Sequence, residues 1–170
     1  MKMDKLPPSQ LSRELRLGTS DDMRRRRIGI GLSFAGAAIG IVVGAYQTGI
    51  LRRLPDVLPG DIWDAERVDA SDYAYASLQM PDALQMLVTY GITASLIGAG
   101  GKDRAEQAPA LPIAAAAKSL YDFGLCLVLT GKEWRENKAL CSWCQLATLI
   151  SAATVAVTLP EAIKAARRAT

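Results

Sequence analysis

Cys141 and Cys144 stand two residues apart at the mouth of an uncharged apolar run from Ala139 to Leu159. A Cys-x-x-Cys pair in a soluble protein points to redox or metal chemistry, whereas at the start of a membrane-spanning helix it sets a dithiol where lipid meets water. The positive end of the helix dipole favours thiolate there, and Cys-x-x-Cys cysteines are among those whose pKa is lowered. Cys141 is expected to be the more exposed of the two. Cys144 falls about 4.5 Å further along the axis if the helix has begun, at the depth of a lipid-soluble oxidant. Gln145, Thr148 and Ser151 continue down the same face at helical spacing. A polar stripe within a span faces protein or a cavity, which makes these three the candidate cofactor-binding residues. Two readings of the pair stand: a redox dithiol, or a structural disulfide above interhelical hydrogen bonds. No metal site is expected, because the sequence has no His and only three Cys, one short of an all-cysteine tetrahedral zinc site.

The elements that must position the pair are read from hydropathy. Hydrophobic residues make up 50% of the 170 and charged residues 22%, so the charges are segregated between long apolar blocks. Ile28 to Leu51, Ala83 to Gly101 and Ala139 to Leu159 carry no charge, and Pro109 to Gly131 carries only Lys118 and Asp122. Each block is close to the roughly 20 residues a helix needs to cross about 30 Å of hydrocarbon. A soluble bundle would show an apolar stripe rather than apolarity all round. The expected fold is therefore an all-α integral membrane protein, a bundle of four transmembrane helices over about 28–51, 83–101, 109–131 and 139–159. Residues 1–27 are expected as a flexible polar tail and 160–170 as a second tail. The first 27 residues are polar and end in Arg24 to Arg27, so no cleavable signal peptide is expected.

Lys and Arg fix the orientation. Thirteen lie on one side: Lys2, Lys5, Arg13, Arg16 and Arg24 to Arg27 before the first block, Lys102 and Arg104 between the second and third, and Lys164, Arg167 and Arg168 after the fourth. Six lie on the other: Arg52, Arg53, Arg67, Lys132, Arg135 and Lys138. The excess of positive charge on the cytoplasmic side puts both termini in the cytoplasm and the Cys-x-x-Cys pair near the outer face. In a bacterium that face of the inner membrane meets the oxidising periplasm, where a cysteine pair can cycle. The topology accounts for the net charge of +3, so no nucleic-acid partner is inferred, and the four-arginine run reads as an anchor on anionic headgroups.

Within the third block Lys118, Asp122 and Cys126 follow one another at i+4 and so share a stripe. Cys126 reads as a small apolar side chain. Lys118 and Asp122 read as a structural ion pair ahead of a proton relay, since ionisable groups within a span pair or line a polar path. Gly36, Gly40 and Gly44 make a groove on the first helix for close helix contact. Trp63, Trp134 and Trp143 fall at the outer boundary, where amphipathic rings settle.

With these residues in place the chain resembles the vitamin K epoxide reductase family in a small bacterial form. The match is carried by Ala139-Leu140-Cys141-Ser142-Trp143-Cys144-Gln145-Leu146, by the stretch from Ser71 to Pro81, and by Tyr90-Gly91, and it spans roughly residues 28 to 159. The resemblance implies a pocket for ubiquinone or menaquinone beneath the dithiol. It also implies electron flow from substrate thiols, through two loop cysteines, to the helix pair and then to quinone. Residues 52 to 82 contain no cysteine; the expected position of the nearer loop cysteine falls close to Glu66. Two functions follow. One is a quinone-linked thiol oxidoreductase in which Cys141 and Cys144 are catalytic and a thioredoxin-like thiol protein reaches Cys141 from outside. The other is a non-catalytic subunit of a larger respiratory or photosynthetic membrane complex that keeps the fold.

Overall fold

The computed structural model describes residues 7–169. Eight helices follow in order: α1 (Pro8–Leu17), α2 (Asp21–Gln47), α3 (Ala65–Asp69), α4 (Tyr73–Ala76), α5 (Asp82–Gly98), α6 (Arg104–Gln107), α7 (Ala110–Asn137) and α8 (Ser142–Ala169). Among the described residues there is no strand, only an isolated bridge between Trp63 and Leu140. The four apolar blocks lie in α2, α5, α7 and α8, which pack α2 on α5 and α8, and α7 on α5 and α8.

Three of these helices, α2, α7 and α8, are long and apolar enough to cross a membrane. α5 has 17 residues, a rise of about 25 Å at 1.5 Å per residue. The outward faces are apolar: Phe34, Ile41, Val88, Leu127, Val128 and Leu149 are all exposed, as helices that meet lipid rather than water require.

Helix ends explain where each block stops. Ser20 caps α2 by accepting from the Met23 N–H at 3.4 Å, with Asp21 and Asp22 in the first turn where the dipole favours them. Gln47, at the other end of α2, caps α5: its amide oxygen accepts from Ala83 N–H and its amide nitrogen donates to Asp82 Oδ1 at 2.7 Å. The C-terminal carbonyls of α5 are closed by two arginines. Arg26 donates to the carbonyls of Ile97, Gly98, Ala99, Gly100 and Gly101, and Arg104 to those of Leu96, Ile97 and Ala99. Arg104 also forms a buried pair with Glu161 at 2.6 Å.

Arg26 is 3% exposed, which corrects the reading of Arg24 to Arg27 as a lipid anchor for this member. A guanidinium with five donors satisfies carbonyls that a helix leaves open, and here it does so inside the protein. Arg27 likewise turns to the carbonyls of Leu15 and Gly18. The stretch expected as an N-terminal tail contains α1 and the first turns of α2, and α8 continues through 160–169; residues 1–6 and 170 of the two expected tails lie outside the described residues.

The glycine groove of α2 is filled by α5. A Cβ on Gly36 would lie 2.2 Å from the Tyr90 ring, one on Gly40 would meet Met86, Leu87 and the Ala83 carbonyl at 3.1 to 3.3 Å, and one on Gly44 would meet Leu84 at 3.3 Å. The groove is an internal contact that seats Tyr90.

Residues 52–81 fold over one end of the bundle. Asp64 N–H donates to the Leu140 carbonyl and Leu140 N–H to the Ile62 carbonyl at 3.0 and 2.9 Å, stitching this loop to the turn between α7 and α8. Beneath the stitch, Val43, Leu54, Ala65, Val68, Ala83, Ala139 and Cys141 form a buried cluster.

Candidate functional site

Cys141 precedes α8 and acts as its cap: its carbonyl accepts from Gln145 N–H at 3.1 Å and its sulfur accepts from Cys144 N–H at 3.3 Å. Cys144, one turn in, faces the bundle. Both are free thiols. Cys141 is 0% exposed and Cys144 is partly exposed, so the expected order of exposure is reversed. The cause is the loop. Asp56 Oδ1 accepts from Ser142 N–H and Oγ–H at 3.0 and 2.5 Å, while Asp56 Oδ2 accepts from Ala65 N–H at 2.8 Å. The Trp143 indole donates to the Pro55 carbonyl. Cys141 lies under this clasp, while Cys144 opens inward.

What Cys144 opens onto is a cavity of about 840 Å³. Ile39, Val43, Met86, Leu125 and Leu129 give it apolar walls, and Tyr90, Thr148 and Ser151 give it hydroxyls. The Tyr90 hydroxyl donates to the Ala147 carbonyl at 3.0 Å and lies 3.1 Å from Ser151 Oγ, and Cys126 Sγ lies 3.8 Å from the same oxygen. Thr148 and Ser151 thus stand where the polar stripe put them. Gln145 does not line the cavity: its amide donates to Glu133 Oε2 and Thr130 Oγ1 on α7 at 3.2 and 3.1 Å. Lys118 and Asp122 form an ion pair at 2.6 Å, with Thr93 donating to Asp122 at 3.0 Å. Asp122 also lines the cavity shared by Cys144.

Two acids meet the cysteines. Glu133 of α7, 2% exposed, accepts from Cys141 N–H at 3.4 Å and is bonded by Tyr73. Asp69, the last residue of α3, is 1% exposed, and its Oδ1 accepts from Cys144 Sγ at 3.8 Å. A carboxylate oxygen of Asp69 and the sulfurs of Cys141 and Cys144 all lie within 4.8 Å of one another. Burial pushes the Asp69 carboxyl up to about 7, with the Cys141 thiol holding it down and the charge of Asp82 adding to the rise. Burial also pushes the Tyr73 hydroxyl up, so it is a proton donor at neutral pH.

Sequence reasoning missed Asp69 and Glu133. Asp69 is one of seven acids between residues 52 and 82, and nothing in its neighbours marks it out. Glu66, near which the absent loop cysteine's position was expected to fall, accepts from Leu54 N–H at 2.9 Å; the residue that meets the cysteine pair lies three further on.

Helices apolar enough for a bilayer, closing on a cavity that one thiol of a pair faces, define the class: a multi-pass, all-helical membrane protein with a dithiol at the end of its bundle. The model of the vitamin K epoxide reductase family matches residues 27–159, and the chain belongs to that family. The family is one of membrane thiol oxidoreductases whose members use quinones. No curated protein and no solved structure matches the chain.

Proposed function

We propose that the protein is a membrane thiol oxidoreductase that couples oxidation of a partner dithiol to reduction of ubiquinone or menaquinone. The observation that carries this reading is Cys144, a free thiol beside Cys141 and on the wall of the 840 Å³ cavity. That volume lies within the range of about 300–1,000 Å³ typical of small-molecule sites, and apolar walls with a few hydroxyls are the usual lining of such sites. A flat, largely apolar quinone head fits this chemistry, with Tyr90, Thr148 and Ser151 as the groups able to orient its oxygens. A quinone there accepts two electrons and two protons.

Cys141 exchanges disulfides with a thioredoxin-like protein through a mixed disulfide, and Cys144 resolves it. Exchange requires the loop around Asp56 to lift, since Cys141 is covered. Cys126 takes no part. We further place the protein in a bacterial inner membrane as four spans, α5 included, with both termini cytoplasmic and the dithiol toward the periplasm. The asymmetry of Lys and Arg supports this orientation.

A second reading, a non-catalytic subunit of a larger membrane complex, draws on the absence of cysteine from residues 52–82 and the burial of Cys141. One experiment separates the two. The reduced wild-type protein is given a soluble quinone analogue while Cys144→Ser is screened for a trapped mixed disulfide; the oxidoreductase reading expects both signals and the subunit reading neither.

A further inference from the structure

We propose that Asp69 is a catalytic residue of this dithiol, accepting the proton that each thiol gives up as the Cys141–Cys144 disulfide forms. The inference rests on the oxidoreductase reading and adds a group to it.

Three observations support it. The first is contact: Asp69 Oδ1 accepts from Cys144 Sγ at 3.8 Å, within a cluster that includes Cys141 Sγ. The second is an unused oxygen. Among the described residues Asp69 Oδ2 is buried with no hydrogen-bond partner. Leaving a buried acceptor unpaired is costly, more so when it is charged, and such a group calls for an explanation beyond packing. Asp69 also lines the cavity, so a proton taken from a thiol has somewhere to go.

The third is the company Asp69 keeps. Tyr46 of α2, Tyr73 and Tyr75 of α4, Asp82 of α5, Glu133 of α7 and the two cysteines at the start of α8 lie within electrostatic reach of it. Lys132 of α7 is the cation on the same cavity wall. Glu161 and Asp122 each sit against a cation, Arg104 and Lys118, whereas Glu133, buried like Asp69, is hydrogen-bonded by Tyr73 and Gln145. Asp69 has thiols instead, and a thiol is a group that can hand it a proton. Its carboxyl, raised to about 7, populates both forms near neutral pH, which is the condition for efficient proton transfer.

Both S–H bonds break and one S–S bond forms; two electrons pass to the quinone. Asp69 takes the proton of the first thiol, releases it into the cavity, and then takes and releases the second, so the two protons that leave sulfur match the two that a quinone would take up with those electrons.

The test uses full-length protein in detergent and two oxidants, a soluble quinone analogue and diamide, which takes two electrons and two protons from a dithiol without using the quinone site. Because Asp69 must be ionised to accept a proton, wild-type dithiol oxidation should rise as pH increases through about 7. Asp69→Asn keeps the shape and cannot take a proton. It should oxidise about 100-fold more slowly at pH 8 with either oxidant, in the range of general-base effects, and lose that limb of the profile; Asp69→Glu should regain part of both.

Alkylation by N-ethylmaleimide at pH 9, read on Cys144 in a Cys141→Ser background, should be as fast or faster with Asp69→Asn, because a neighbouring negative charge is gone. A folding defect would instead speed alkylation of half-buried Cys126 as well, so Cys126 labelling at the wild-type rate in the Asn variant shows that its fold is intact. An Asn variant oxidised by diamide at the wild-type rate with the wild-type pH profile overturns the proposal. Wild-type protein oxidised by diamide but not by quinone contradicts the quinone reading instead, and the diamide comparison still decides the role of Asp69.

Discussion

Asp56 accepts from both the backbone N–H and the hydroxyl of Ser142, at 3.0 and 2.5 Å, across 86 residues of chain. This one carboxylate joins the loop between α2 and α5 to the first of the two residues between the cysteines. It is why Cys141 is covered although it stands at the end of a helix. Hydrogen bonds to a charged group are worth about 1.5–3 kcal/mol each, so the clasp sets how often the cover opens. Asp56→Ala should raise the rate at which a bulky maleimide labels Cys141 by about tenfold or more. Unchanged labelling would mean that the cover is held elsewhere.

Gly36 is the position where the Tyr90 ring of α5 packs against the backbone of α2. The Tyr90 ring fills the place of its missing Cβ, 2.2 Å away, and the ring is pinned by its hydroxyl to Ala147 and Ser151. Gly36→Ala should lower thermal stability in detergent by about 1–3 kcal/mol, the usual cost of overpacking. Gly31→Ala, with nothing within 4 Å of its would-be Cβ, should not. Equal stability of the two variants would refute the close packing of Tyr90 on α2.

Lys118 and Asp122 form their pair beside Thr93. Lys118→Met strands Asp122 and should cost about 2 kcal/mol, while Lys118→Met with Asp122→Leu should recover most of it, since breaking one side of a buried pair is worse than replacing both. Asp122 lines the cavity, so quinone reduction by the stable double variant reads a second role: normal turnover assigns the pair to structure, and loss of turnover assigns Asp122 to proton supply.

Orientation is tested by single cysteines in a background with the three native cysteines replaced by serine. Ser9 and Asp61 are both exposed and lie at opposite ends of the proposed topology. A membrane-impermeant maleimide should label Asp61→Cys in intact cells and Ser9→Cys only after lysis. The reverse pattern would invert the compartment of the dithiol.

Much of the scaffold was legible because hydropathy is a local property. Most of each uncharged or nearly uncharged block lies in α2, α5, α7 or α8, with the block ends running a few residues beyond the helices, and the Lys118–Asp122 pair followed from i+4 spacing alone. Thr148 and Ser151 reached the cavity because the helical period is regular. What stayed hidden depends on docking between distant segments. Arg26 read as one of four surface arginines, yet its partners are carbonyls 71 to 75 residues away. Asp69 lies 75 residues from Cys144 and carries no local signal. Cys141 was expected to be exposed from its place at a helix mouth, and the loop that buries it has no periodicity to announce where it lands.

In the proposed function Cys141 and Cys144 pass electrons from a partner thiol to quinone. The most direct measurement follows the redox state of these two thiols in purified, pre-reduced protein after addition of a soluble quinone analogue, by mass spectrometry of the alkylated cysteines, with quinol formation followed by absorbance. The account predicts one Cys141–Cys144 disulfide per quinol formed, with Cys126 still free and Cys126→Ser indistinguishable from wild type, and a mixed disulfide on Cys141 accumulating in cells that carry Cys144→Ser. Both thiols remaining reduced in excess quinone, together with no trapped partner on Cys144→Ser, would contradict it and leave the non-catalytic subunit as the function of this fold.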